Sequence, residues 1–395
     1  MSTRVSRIAL PVVATVLLGA CAVPPLTGPG SEDETVSTPP PAAGCLPLED
    51  GLAPASGVLA GVNLDWERDL LAEYAERLGE RPAVAVSFSR FPLESQDEAH
   101  VTAAKDQVRA NGGMLLLTLE PHGGLDDVTD EAVAALAALL DGYNRDGVPV
   151  IVRFAHEMNG SWYPWGQQPE AFREAFRRVA GAVHREAPGS AMMWAPNYGG
   201  GYPFTGGAHA APPGSEAYGI LDTSADGTVD EGDDPYAPYY PGDEAVDWVG
   251  MSLYHWGDSH PWGDNVVPEE DKFVDQLTGT YVGAAGDESA VPDFYADYAE
   301  ERGKPLGIPE TAAFFRPGGP GADELAVKRA WWSQLVDPSV HRDFPRLQMV
   351  NWFEWRKHEP EVDAVVDWRA TGTPDVAQAY AGDLPEWYVH PGDGC

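Results

Sequence analysis

Eight short apolar runs punctuate the chain, at 58–65, 83–91, 114–120, 149–157, 191–197, 248–254, 306–310 and 347–355. Each is rich in Val, Ile, Leu, Met or Phe, and near-continuous apolarity over this length is what a parallel strand covered on both faces requires. Between several of them lie segments with a helical period, at 67–78, 130–143, 170–184 and 323–335. Eight alternations of this kind predict an α/β protein folded as a single (β/α)8 TIM barrel, with a doubly wound open sheet as the competing arrangement. Polar and aromatic residues collect at the C-terminal ends of the runs: Asp65-Trp66, Glu120-Pro121-His122, His156-Glu157, Asn197-Tyr198, Tyr254-His255-Trp256, Glu310 and Trp355-Arg356. In a barrel these ends converge on one face, where the chemistry of such folds is placed.

The ends of the chain change the picture of where it works. Arg4 and Arg7 precede an apolar stretch running from Ile8 to Ala20. The stretch is shorter than the roughly 20 residues that span a bilayer, and together with the charged start it reads as a secretory signal peptide over residues 1–20. It closes on Leu18-Gly19-Ala20-Cys21, which resembles a bacterial lipobox, and so predicts lipidation of Cys21 and a place on the outer face of the cell membrane. A cleavable signal with an incidental cysteine is the plainer alternative. Residues 21–44, rich in Pro, Ser, Thr and Gly, read as a linker, which leaves 45–395 as the folded domain. With Cys21 assigned to lipid, Cys45 and Cys395 remain at the two ends of that domain, and in an oxidising compartment a disulfide between them is expected.

Charge then narrows the partners. The chain has 25 Lys and Arg against 62 Asp and Glu, a net charge of −37, which repels phosphate backbones and makes nucleic acid an improbable partner. Neutral polymers remain plausible, contact with a membrane is expected through the lipid anchor only, and a monomer is expected. Thirteen tryptophans favour carbohydrate weakly, because the same residues could be core.

Two strand-end glutamates carry the sharper chemistry. Glycoside hydrolysis by the retaining route uses one protonated and one ionised carboxyl about 5.5 Å apart. Glu157 ends the fourth run among His156, Trp162, Tyr163 and Trp165, an apolar setting that favours a held proton. Glu310 ends the seventh, where the Tyr254 hydroxyl on the neighbouring strand could orient it as a nucleophile. In a chain this acidic, solvated or ion-paired glutamates are the bland alternative.

The surrounding residues bear on that choice. The stretch Arg153-Phe154-Ala155-His156-Glu157-Met158-Asn159-Gly160-Ser161-Trp162-Tyr163-Pro164-Trp165 resembles the acid/base segment of glycoside hydrolase family 26, which contains many β-mannanases. The stretch 240–250 followed by Tyr254 is similar to that family's sixth strand, and Gly307-Ile308-Pro309-Glu310-Thr311 to its nucleophile strand. The resemblance, over roughly 57–370, implies a retaining barrel with Glu157 as acid/base, Glu310 as nucleophile and Tyr254 supporting it. His156 and Trp162 would line the reacting subsite, and His122 and Trp355-Arg356 would contact sugars on the non-reducing side. Many mannanases of the family carry an aspartate two residues before that tyrosine; here Ser252 stands there, which puts one sugar contact in doubt.

The expected activity is hydrolysis of a β-linked polysaccharide, as an endo-β-1,4-mannanase-like enzyme, with no cofactor for catalysis. The same family resemblance also admits action on β-1,3-xylan or mixed-linkage β-glucan. A non-catalytic carbohydrate-binding lipoprotein is the alternative of a different class, which would have no need of both glutamates. Finally, the loop between the fifth and sixth runs places Asp222, Ser224, Asp226, Thr228, Asp230 and Asp233 at the spacing of an EF-hand-type loop, with Gly227 at the turn. A structural Ca2+ is expected there, against the plainer reading of a solvated acidic loop.

Overall fold

In a computed structural model the structure describes residues 45–392. The expected signal peptide and linker (residues 1–44), with Cys21, and Cys395 lie outside the described residues. Eight parallel strands form the barrel: β1 (Val58–Leu64), β2 (Val84–Arg90), β3 (Met114–Glu120), β4 (Val150–Phe154), β5 (Ser190–Trp194), β6 (Trp248–Ser252), β7 (Leu306–Thr311) and β8 (Leu347–Glu354). Each pairs with the next, and β8 returns to β1 with Leu59 opposite Met349 and Val62 opposite Trp352. That closing pair settles the choice in favour of the (β/α)8 barrel over the open sheet.

The alternation of side chains along each strand fills the interior in layers. Leu59, Val86, Leu116, Ile151, Met193 and Met349 form an apolar cluster inside the barrel. One or two inward positions further along, the same strands present Asn63, Thr118, Arg153, Ser252 and Asn351, all fully or almost fully buried. The interior thus turns polar toward the C-terminal face. Space for this layer is made at Gly61, where a Cβ would lie 1.7 Å from the Asn351 amide oxygen.

Helices cover the outside through stripes spaced three and four residues apart. In α3 (Asp130–Arg145) the stripe is Val133, Leu136, Ala137 and Leu140; in α4 (Pro169–Glu186) it is Phe172, Phe176, Val179 and Val183. The Thr129 side chain caps α3 by accepting the Ala132 N–H at 3.2 Å, and Pro169 opens α4 where no N–H is needed. The sequence reading also anticipated the helices at Leu71–Leu78 and Glu324–Leu335, but it passed over those at Ser95–Asn111 and Pro374–Asp383. The segments after β5 and β6 carry only short pieces of regular structure, such as the helices Glu216–Leu221 and Lys272–Leu277.

The opposite end of the barrel is sealed by its own N-terminal segment. Leu46, Leu48, Leu52 and Ala53 pack onto the inner cluster, and the Trp248 indole donates to the Gly51 carbonyl at 2.7 Å. Cys45 is disulfide-bonded. The C-terminal stretch comes back to the same place, with the Gly392 N–H donating to the Cys45 carbonyl at 3.1 Å.

Candidate active site

The chain leaves β4 through two left-handed residues, Ala155 at φ 47° and Glu157 at φ 53°. Such a conformation costs an L-residue roughly 1–2 kcal/mol, so surrounding bonds must impose it. They do so here: the Glu157 N–H donates to the Ala195 carbonyl at 2.9 Å, and the Trp165 indole donates to the His156 carbonyl at 2.7 Å. Trp165 stacks on Tyr163 with ring centres 4.4 Å apart, and the His156 ring sits against Phe88, Tyr163 and Trp165. Only 1% exposed, His156 has its pKa held well below the ordinary value by burial and then by the Arg153 charge, so its ring is neutral. Its Nδ1 has no hydrogen-bond partner.

Glu310, on β7, is 7% exposed and fixed from two sides. Arg153 Nη1 donates to one carboxylate oxygen, and the Tyr254 hydroxyl donates to the other at 2.8 Å. Fully buried Arg153 also donates through Nη2 to Ser252 Oγ at 2.6 Å. A register irregularity between β6 and β7 puts Ser252 opposite Glu310. The Trp162 indole donates to the Glu157 side chain at 3.1 Å, and Ser252 stands near enough to that carboxyl to lower its pKa. One oxygen of each glutamate and one ring nitrogen of His156 all lie within 4.8 Å of one another.

Two carboxyls of the cleft keep protons unusually well. Burial, followed by repulsion from Glu310, pushes Glu157 up to about 7. Glu120, at the end of β3, is also pushed up to about 7, again by burial and then by Glu310. Its carboxylate lies 3.4 Å from His122 Nε2. Burial and the Arg90 charge lower the His122 pKa, and that ring meets the edge of Trp165.

Sequence reasoning therefore brought together Glu157, Glu310, His156, Trp162 and Tyr254, with His122 beside them. Trp355 and Arg356 lie at the same face but one step removed. Trp355 stacks on Phe353, whose ring contacts Tyr254, and its indole donates to Asn63 at 3.2 Å. The Arg356 guanidinium is half exposed, 3.6 Å from Asp367. Trp352 is fully buried and donates to the Trp368 carbonyl, so it is core. Three participants were given no role from the sequence. Arg153 was signalled by a charge inside the otherwise apolar Val150-Ile151-Val152-Arg153-Phe154; Glu120 by its strand-end position; Ser252 stood out only as a departure.

In the acidic loop the aspartates face the loop's own amides. Asp222 accepts the Gly227 N–H at 2.8 Å and the Asp226 N–H at 3.1 Å, while buried Asp233 accepts those of Ser224 and Asp230 at 2.8 and 2.9 Å. Asp226 and Asp230 accept the Thr228 and Gly232 N–H groups. Ser224 Oγ reaches Asp222 at 3.4 Å. Among the described residues, the gathered cluster of metal-ligand side chains is His156, Glu157 and Glu310, not this loop.

A closed barrel whose C-terminal face gathers paired carboxyls, a buried arginine and aromatic walls is the architecture of a glycoside hydrolase, and comparison with known proteins supports that class. The Glycosyl hydrolase family 26 model matches residues 94–196, the stretch that contains Glu157. Endoglucanase H of Acetivibrio thermocellus is 23% identical over 295 residues, covering 72% of this chain; the chain spans about a quarter, 26%, of that relative's length. Among solved structures, a double mutant of the Cellulomonas fimi endo-β-1,4-mannanase superposes with a TM-score of 0.52 at 18% identity, covering 85% of this chain and 73% of that one. GH26C from Muricauda sp. MAR_2010_75 does so with a TM-score of 0.52 at 16% identity, covering 86% and 91%. The two structures share the barrel fold. The family model and the endoglucanase support a glycoside hydrolase similar to family 26, while the two structures show the fold alone.

Proposed function

We propose that the chain is a retaining, endo-acting hydrolase of a β-linked polysaccharide, most closely a β-1,4-mannanase. The observation that carries this reading is the pair Glu157 and Glu310, with carboxylate oxygens within 4.8 Å, close to the spacing of about 5–5.5 Å at which one carboxyl attacks while the other manages the proton. Glu157 gives its proton to the glycosidic oxygen as that bond breaks, and Glu310 forms a bond to the anomeric carbon. In the second half a water gives a proton to Glu157 and displaces Glu310, which leaves both carboxyls as they began. Tyr254 and Arg153 position the Glu310 oxygens for attack. His156 and Trp162 flank the reacting sugar, His122 and Trp355-Arg356 the sugars beyond it. The mannanase and endoglucanase named among the relatives support a β-glycan substrate, and the Ser252 position leaves mixed-linkage glucan and β-1,3-xylan as the polymers to compare.

The deciding experiment is reducing-sugar release by residues 45–395 on β-mannan, mixed-linkage glucan and β-1,3-xylan, beside Glu310→Ala. Release on β-mannan that disappears in the variant is expected; sugar binding with no release on any polymer would instead favour a carbohydrate-binding protein. Secretion and lipidation at Cys21 belong to the same proposal, supported by the charged start, the apolar run and Leu18-Gly19-Ala20-Cys21. Incorporation of labelled palmitate into the full chain, absent in Cys21→Ser, tests them.

A further inference from the structure

We propose that His156, Glu157 and Glu310 form a binding site for a late first-row divalent cation, with zinc as the probe, and that the ion competes with the sugar for the same space. One ligand atom from each residue lies within 4.8 Å of the others. The imidazole is 1% exposed and its Nδ1 has no partner. A buried polar ring left short of partners is costly, and an ion bound through the nitrogen that faces the carboxylates offsets part of that cost.

Charge points the same way. Glu120, Glu157 and Glu310 bring three carboxyls to one guanidinium, that of Arg153. Acidic groups thus outnumber the basic one around the trio, which favours a bound cation over an anion. The ligand set selects among such ions. One imidazole and two carboxylates suit zinc, whereas calcium and magnesium require a larger shell of oxygens. In the usual order of affinities copper and zinc bind such a site more tightly than manganese or iron.

Bond lengths of about 2.0–2.2 Å place the ligand atoms of a tetrahedral zinc roughly 3.3 Å apart, so the trio has to draw in. Glu157 is the member able to move, since among the described residues its carboxylate is held by the Trp162 indole and is half-buried. Glu310 stays in the grip of Arg153 and Tyr254. An ion bound this way ties up the acid and the nucleophile together. Inhibition therefore rests on the hydrolase reading above, whereas binding does not.

Zinc chloride titrated calorimetrically into the folded chain, in a non-chelating buffer with magnesium chloride as control, is the test. One ion per chain is expected, removable by EDTA, with magnesium silent. His156→Gln and Glu157→Gln should each weaken binding by about tenfold or more, while His184→Gln, in the separate His184–Asp247 pair, should not. Cobalt substitution of the unaltered chain gives a second measurement that needs no variant, because a four- or five-coordinate site absorbs strongly in the visible and a hydrated ion does not. Absence of both heat and cobalt colour at about 1 mM ion, or unchanged affinity in both cleft variants, overturns the site. Zinc bound by the trio in a chain that cleaves no polymer would sink the hydrolase reading alone; cleavage without zinc binding would sink this one alone.

Discussion

Arg153 Nη2 lies 2.6 Å from Ser252 Oγ, while Nη1 of the same buried guanidinium holds Glu310. Ser252 in turn stands beside Glu157 and lowers its pKa. Among the described residues the carboxylate bonded to Arg153 is Glu310, and the serine acts as a relay toward Glu157 that adds no charge.

Ser252→Ala removes that relay. The buried Nη2 loses its acceptor, which costs about 1–3 kcal/mol of stability. Because the serine lowers the Glu157 pKa, its loss should move the alkaline limb of the pH–rate profile upward. Thermal melting and a profile of kcat/KM check both; a limb that stays in place or moves down contradicts the relay.

Glu157 also makes stability depend on pH. Its folded pKa of about 7 stands above the ordinary 4.5, so the folded chain holds the proton more tightly than the unfolded one. The contribution is fully present below 4.5 and is lost as pH rises through 7. Glu157→Gln, which mimics the protonated acid, should raise Tm at pH 8 and leave it unchanged at pH 4. Equal shifts at the two pH values would mean that burial of the carboxylate is not the cause.

Two tryptophans, Trp352 on β8 and Trp355 just past its end, separate packing from recognition. Fully buried Trp352 packs against Trp332 and Tyr380, and its truncation to alanine should cost about 3–5 kcal/mol, seen by chemical denaturation. Half-buried Trp355 should lose far less stability as alanine, and instead raise KM on the polymer several-fold if a sugar stacks there. A Trp355→Ala enzyme with wild-type KM would leave that ring a purely structural role.

The acidic loop gives a metal-removal test. Its aspartates accept loop amides, which order the loop from within and leave further lone pairs on the same carboxylates. If that internal bonding suffices, dialysis against EDTA leaves Tm within about 1 °C, a change well below that from a single lost interaction. A calcium-dependent rise that Asp226→Asn abolishes would show that the ion reorganises the loop, as the spacing of its side chains suggests.

Much of this was legible because strand ends announce themselves. A run such as Met114–Glu120, apolar but for Thr118 until its last residue, gives both the strand and the side chain it delivers to the cleft. The helix Ser95–Asn111 was not legible, since its sequence, SQDEAHVTAAKDQVRAN, buries only Val101, Ala104, Lys105, Val108 and Asn111 and shows no strong apolar stripe. Arg153 illustrates the other limit. The sequence shows a charge within a strand, but which carboxylate it meets depends on closure of β8 on β1 and on the shifted register of β6 against β7. The aspartates at 222–233 show a third: spacing fixes which side chains are available, not whether they turn toward a common centre or toward the backbone.

The plug formed by residues 46–53 gives the molecule a direction. Cys45 and Gly392 meet at the sealed end, while Glu157 and Glu310 open at the other. An attachment made at Cys45 or Gly392 therefore lies away from the two glutamates and leaves the mouth clear.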